Sequence, residues 1–122
     1  MNAPKITASF ILDGLRPQTV ERKYVHYRIT LNVVDCPPST FAVTYELHPS
    51  FPNSIREVRA TEGEEGFPLR IATYGDFEVR AEIRTLERTY RISRFLSKAL
   101  RESYDRSTST EIQNAMQQIA SH

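Results

Sequence analysis

From Tyr24 to Val34 the chain alternates: Val25, Tyr27, Ile29, Leu31 and Val33 fall on one side, and Tyr24, His26, Arg28, Thr30 and Asn32 on the other. A period of two over this length predicts a strand with its apolar side on a core. The same period places Ile6, Ala8, Phe10 and Leu12 on one face of a strand, with a turn at Asp13-Gly14. It also places Phe41, Val43, Tyr45 and Leu47 together, ended by the two prolines of His48 to Asn53. Phe67, Leu69 and Ile71 form another such run, and Phe77, Val79, Ala81 and Ile83 the next. Against that last set stand Glu78, Arg80, Glu82 and Arg84, alternating in sign as suits a solvated antiparallel face. Ile55 to Ala60 reads as a short strand with Ile55 or Val58 inward. Gln18 to Lys23 is polar and carries no clear period. Asp35 to Thr40, with Pro37 and Pro38, is a loop, as is the acidic stretch Thr61 to Gly66 with Glu62, Glu64 and Glu65.

About seven short strands at this spacing predict an all-β, immunoglobulin-like antiparallel sandwich. The tryptophan and paired cysteines of antibody domains are absent, so the expectation concerns architecture alone. The chain's last quarter changes character. Tyr90 and Ile92 suit a strand, whereas Phe95, Leu96, Ala99, Leu100 and Tyr104 have helical spacing. Thr108-Ser109-Thr110-Glu111 has the form of a capping box. Ile112, Ala115, Met116 and Ile119 follow as an amphipathic stripe, which predicts a helix packed on the sandwich or on a second copy. The expected division is a sandwich over 1–92 and a helical extension over 93–122, the latter a possible homodimer contact.

The 122 residues fit one domain. With 16 basic and 15 acidic residues interleaved, a net charge of +1 argues against bulk electrostatic binding of nucleic acid or membrane. Met1 to Pro4 is polar and the apolar run Ala8 to Leu12 is too short for a leader or a span, so an intracellular, soluble, cytoplasmic chain is expected (nuclear if eukaryotic). The single cysteine, Cys36, excludes an internal disulfide. His26, His48 and His122 lack metal-ligand spacing, and the four scattered glycines form no phosphate loop. No metal or cofactor is expected. Ser50 lies two residues from His48, but no third orienting group or oxyanion arrangement accompanies them, so the chain is read as a non-enzyme.

The remaining chemistry lies in two loops. If Phe41 to Leu47 runs up, Ile55 to Ala60 down and Phe67 to Ala72 up again, then Leu47-His48-Pro49-Ser50-Phe51 and Thr73-Tyr74-Gly75-Asp76-Phe77 meet at one end of the sandwich. Loops at such an end are a usual place for binding. Two aromatic faces can flank a flat group, and a hydroxyl with a backbone N–H can hold an amide. A turn is an unusual place for a ring as large as Tyr74 unless it covers something. Phe77 reads as core, Phe51 as partly buried under its loop, His48 as a loop lock or a ligand contact, and Ser50 as a turn cap or a ligand contact.

Leu47-His48-Pro49-Ser50-Phe51 reproduces a signature loop of the YEATS domain, and Asn53 with Arg56-Glu57-Val58 is also similar to that family. Tyr74-Gly75-Asp76-Phe77 resembles its second loop. The resemblance covers roughly Tyr24 to Leu86 and is nearest the prokaryotic YEATS-like group. It implies a β-sandwich that reads acylated lysine. The Ser50 hydroxyl and the Tyr74 backbone N–H would bond the acyl amide, Phe51 and Tyr74 would flank the acyl chain, and His48 would buttress Ser50. Gly75 and Asp76 complete the candidate ligand-binding set. Thr73 departs from the usual glycine and is expected to stiffen or narrow the second loop, while Tyr24, His26 and Tyr27 match only loosely the "H-x-W" segment upstream. The implied partner is an acylated-lysine protein or peptide in a prokaryotic signalling or defence system. The alternative is a protein–protein interaction module of such a system without acyl-lysine binding.

Overall fold

The structure, a computed structural model, describes residues 3–63 and 66–122. Met1 and Asn2, and Glu64 and Glu65 of the expected acidic loop, lie outside the described residues. The elements run β1 (Lys5–Phe10), β2 (Leu12–Asp13), β3 (Arg16–Pro17), β4 (Thr19–Glu21), β5 (Val25–Val34), β6 (Thr40–Glu46), β7 (Ile55–Arg59), β8 (Leu69–Thr73), β9 (Glu78–Thr85), β10 (Thr89–Phe95), α1 (Leu96–Ser103) and α2 (Thr110–Ala120).

Two antiparallel sheets face each other, as the alternation predicts. In the first, β5 is central. Ile29 pairs with Phe10 of β1 on one side and Ile71 of β8 on the other, and Tyr27 pairs with Thr19 of β4 and Thr73 of β8. So β1 and β4 share one edge of β5, and β8 takes the other. The polar stretch Gln18 to Lys23, without a clear period in the sequence, thus supplies a short strand. The second sheet has the order β10-β9-β6-β7. Between the sheets lie the predicted inward residues, among them Ile29, Leu31, Val43, Tyr45, Val79 and Ile83, all fully buried.

One expectation changes and one open alternative is decided. Phe41 does not join Val43, Tyr45 and Leu47 in the core. Thr40 pairs with Thr85 and Ala42 with the adjacent Arg84, so Phe41 is the extra residue of a β-bulge and stands 40% exposed. Of the two candidates in β7, Val58 packs on the core, while Ile55 points outward on this edge strand.

The C-terminal helices belong to the same core. β10 continues to Phe95, beyond the expected boundary at 92, and α1 begins at the next residue. Phe95 is therefore the strand's half-exposed end rather than part of the helical stripe. Leu96, Ala99 and Leu100 of α1, and Ile112, Ala115 and Ile119 of α2, are buried in one cluster with the sandwich residues. Fully burying a leucine or isoleucine contributes about 1.5–3 kcal/mol, so the helices are a structural layer, not an appendage. The α2 stripe packs on the chain's own sandwich. Its cap is Ser109, whose Oγ accepts the Ile112 N–H at 3.3 Å, one residue later than the capping-box pattern indicates. No helix among the described residues is long and apolar enough to cross a membrane.

Candidate functional site

The loop from β6 to β7 is fixed by its own backbone. The Leu47 N–H donates to the Ser54 carbonyl at 2.7 Å, and the Phe51 N–H to that of His48 at 3.0 Å. Asn53 takes the left-handed conformation (φ 49°) that asparagine tolerates. The Arg56 guanidinium then donates to the Pro52 and Asn53 carbonyls, both at 3.0 Å, and clamps the bend.

Inside that loop, Ser50 folds over His48. The Ser50 N–H donates to His48 Nδ1 at 3.2 Å, and Ser50 Oγ lies 2.8 Å from the same nitrogen. A nitrogen that accepts an N–H carries no proton, so this tautomer has its proton on Nε2 and the Ser50 hydroxyl donates to Nδ1. Ser50 Oγ, on an exposed residue, then remains able to accept. His48 acts as a lock on the loop through one nitrogen. Among the described residues no carboxylate is bonded to its other nitrogen, so the orienting third group of a nucleophile–base pair is missing.

The β8–β9 loop is stiffened by Thr73, as its replacement of glycine led us to expect. The buried Thr73 hydroxyl donates to the Gly75 carbonyl at 3.0 Å and accepts the Gly75 N–H at 3.3 Å. The Gly75 N–H is therefore occupied. Among the described residues none accepts the Tyr74 N–H, leaving it an available donor. Asp76 turns away: Oδ1 accepts the Ser97 N–H at 2.8 Å and Oδ2 the Ser97 hydroxyl at 2.7 Å. It serves the start of α1, where Phe95 offers no side-chain cap. Phe77 is core, and the half-buried Phe51 ring rests on it at 5.2 Å between centroids.

Tyr74 is 40% exposed and lies within a cluster that the sequence did not indicate. It stacks on Tyr24 at 4.9 Å and 23°, meets the edge of His26 at 5.2 Å, and has the His122 ring at 6.0 Å. His26 is held by a 2.8 Å hydrogen bond from Nδ1 to the Tyr24 carbonyl. Tyr24 and His26 lie at and before the start of β5 on its polar side; aromatic residues at that position were the available signal. Nothing in the sequence relates His122 to Tyr74.

The two loops do meet. Ser50, Phe51, Thr73 and Tyr74 line two hollows at once. One of about 330 Å³ also has Arg22, His26 and Arg56 in its wall. The other, about 150 Å³, adds His48, Gly75, Asp76, Phe77 and His122. All six candidate ligand-binding residues thus border the smaller hollow, with Asp76 already committed to Ser97. Cys36 is remote from both, and burial, then the Asp35 charge, pushes its thiol up, away from reactivity. Among the described residues no group of three or more His, Cys, Asp or Glu is placed to hold a metal.

The fold is an immunoglobulin-like sandwich, with an aromatic candidate site where its two loops meet. The profile of the prokaryotic YEATS domain matches residues 27–97, and the chain belongs to that family. Among solved structures it is similar to the Yaf9 YEATS domain recognising a succinylated H3 peptide: 18% identity, TM-score 0.54, 75% of this chain and 67% of that one. The yeast AF-9 homolog protein Yaf9 aligns at 18% identity and TM-score 0.54, over 76% of this chain and 65% of that one. The Yaf9 YEATS domain bound to acetylated H3 aligns at 19% identity and TM-score 0.52, over 75% and 66%. These likenesses establish the shared fold. No curated protein matches the chain.

Proposed function

We propose that this chain is a non-catalytic reader of acylated lysine on a protein or peptide of a prokaryotic signalling or defence system. The observation that supports the reading is that Ser50, whose hydroxyl can accept, and Tyr74, whose N–H is available to donate, line the same hollow. A secondary amide needs both. The rings of Phe51 and Tyr74 border the same slot and suit the flat amide and the start of the acyl chain. His48 and Gly75 shape the wall, and Asp76 is a positioning residue that ties the second loop to α1. The complexes of Yaf9 with acylated H3 support the ligand class. A few hydrogen bonds and one stacked pair, set against association costs, give an affinity of roughly millimolar to tens of micromolar.

An apolar helix stripe turned to solvent would favour the interaction-module alternative, but the α2 stripe is buried. The test is an NMR titration of labelled protein with acetyl-, propionyl- and crotonyl-lysine peptides against unmodified lysine. Selective shifts at Ser50, Phe51, Tyr74 and Gly75 are expected. Tyr74→Ala should remove them while the fold persists. Silence at millimolar peptide would sink the reading.

A further inference from the structure

The family match ends at residue 97, yet Tyr74, at the centre of the site, is approached by a residue well beyond it. Ile112, Ala115 and Ile119 seat α2 on the core, and Gln118 accepts a hydrogen bond from the Tyr27 hydroxyl. That docking aims the end of α2 at the β8–β9 loop. The His122 N–H donates to the Ile119 carbonyl at 3.3 Å, so His122 still follows the helix path. Its side chain rests against Gly75, where a Cβ would come within 3.0 Å of the His122 Cβ. Its ring lies 6.0 Å from those of both Tyr24 and Tyr74. There it forms part of the wall of the 150 Å³ hollow.

The two hollows differ in what they can admit. The one of about 330 Å³ has room for a lysine stem and flanking backbone, whereas the one of about 150 Å³ has α2 docked beside it. A lysine entering from the wider side, with its amide between Ser50 Oγ and the Tyr74 N–H, sends its acyl tip toward His122. Resting on the acyl-lysine reading above, we propose that His122 is a specificity-determining residue, the stop that sets the longest acyl chain the pocket accepts. The hollow of about 150 Å³ is partly open, with a volume close to that of a cavity that holds benzene. Acetyl to butyryl tips fit within that; an octanoyl tip collides with His122. Gly75 is part of the same device, because a side chain there would push the stop out of place.

The test uses the full chain and one peptide carrying acetyl-, butyryl-, hexanoyl- or octanoyl-lysine, with unmodified lysine as control. Affinities are read by NMR titration for wild type, His122→Ala and His122→Trp, and folding by thermal melts. Wild type should bind the octanoyl peptide about tenfold or more weakly than the butyryl one, as overpacking a well-filled site predicts. His122→Ala should remove most of that gap, and His122→Trp should move the cut-off to shorter chains. An unchanged octanoyl-to-butyryl ratio in His122→Ala overturns the stop and leaves the acyl-lysine reading standing. A gain equal for all chain lengths also overturns it, because His122 would then merely obstruct entry. If no acyl peptide binds wild type or His122→Ala, the acyl-lysine reading falls and takes the stop with it.

Discussion

On the outer face of β6, β9 and β10, arginines are answered by carboxylates. Arg80 lies 2.9 Å from Glu78 and 3.7 Å from Glu46, Arg84 lies 3.0 Å from Glu82 and 3.7 Å from Glu57, and Arg91 lies 3.4 Å from Glu82. The hollow on this face, about 590 Å³, is larger than either hollow at the loop end. At the loop end the polar groups are left differently. Among the described residues neither Arg22 nor Arg56 has a carboxylate within salt-bridge distance, the Tyr74 N–H has no acceptor, and the exposed Ser50 Oγ has His48 as its one protein partner. On the sheet face the charged groups answer one another, although the Thr44 hydroxyl in that hollow is buried without a partner. The loop end is smaller but has a backbone donor without an acceptor and an exposed hydroxyl beside exposed rings, and that contrast is why binding is proposed there.

The sharpest way to separate the two regions is Asp76→Ala. It removes both hydrogen bonds to Ser97, and α1 has neither a side-chain cap nor an acidic residue in its first turn to replace them. The expected loss is about 1–2 kcal/mol in denaturant unfolding, comparable to losing a helix cap. Amide exchange should rise in the β8–β9 loop and the first turn of α1 while the β6–β9 ladder stays protected. Uniform loss of protection would mean that the loop end is no separate unit.

Alkaline pH tests what lies beneath both regions. Tyr45 on β6 is fully buried, and its hydroxyl donates to the Phe67 carbonyl, just before β8 in the opposite sheet. Burial raises its pKa above the ordinary value of 10.0. The phenol is thus neutral in the folded chain at pH values where it would ionise unfolded. Its contribution is intact below the ordinary value and is lost as pH climbs above it, by up to about 1.4 kcal/mol per pH unit. Thermal melts above that pH should lose sheet and loop end in one transition. Tyr45→Phe should flatten the alkaline slope.

How far the chain disclosed this contrast depends on the range of each contact. His48, Ser50 and Phe51 lie within one turn, and the contact of His48 with Ser50 was implied by the family resemblance, while the residues alone left both roles open. The meeting of the two loops followed from strand parity, even though β8 crosses to the other sheet, because direction alone sets which end a loop occupies. The bulge at Phe41 was not readable: one extra residue in the pairing reverses a side chain's facing without altering composition. Asp76 looked like a ligand contact because its partner Ser97 lies 21 residues away. Tyr24 and His122 stayed hidden for the same reason, being brought to Tyr74 by the packing of β5 and α2 rather than by any local spacing.

Ser50→Ala acts only at the loop end. It removes an exposed hydroxyl whose partner is an equally exposed His48, so stability should hardly move. Acyl-peptide affinity should fall about three- to tenfold, the value of one hydrogen bond of about 0.5–1.5 kcal/mol. The same fall with unmodified lysine peptide would place the contact outside the acyl amide.

The smallest effect expected comes from the region that looks busiest. Arg84→Ala breaks contacts with both Glu82 and Glu57 on a half-exposed surface. Such pairs are screened by solvent and offset by the entropy of holding long side chains in place, so the loss should stay under about 1 kcal/mol and shrink further with added salt. Peptide affinity should not change, because the charged groups of the large hollow on this face are already answered by one another. A clear loss of acyl-peptide binding in Arg84→Ala would break the comparison, since it would move the ligand from the small slot between the loops to the charged groove on the sheet.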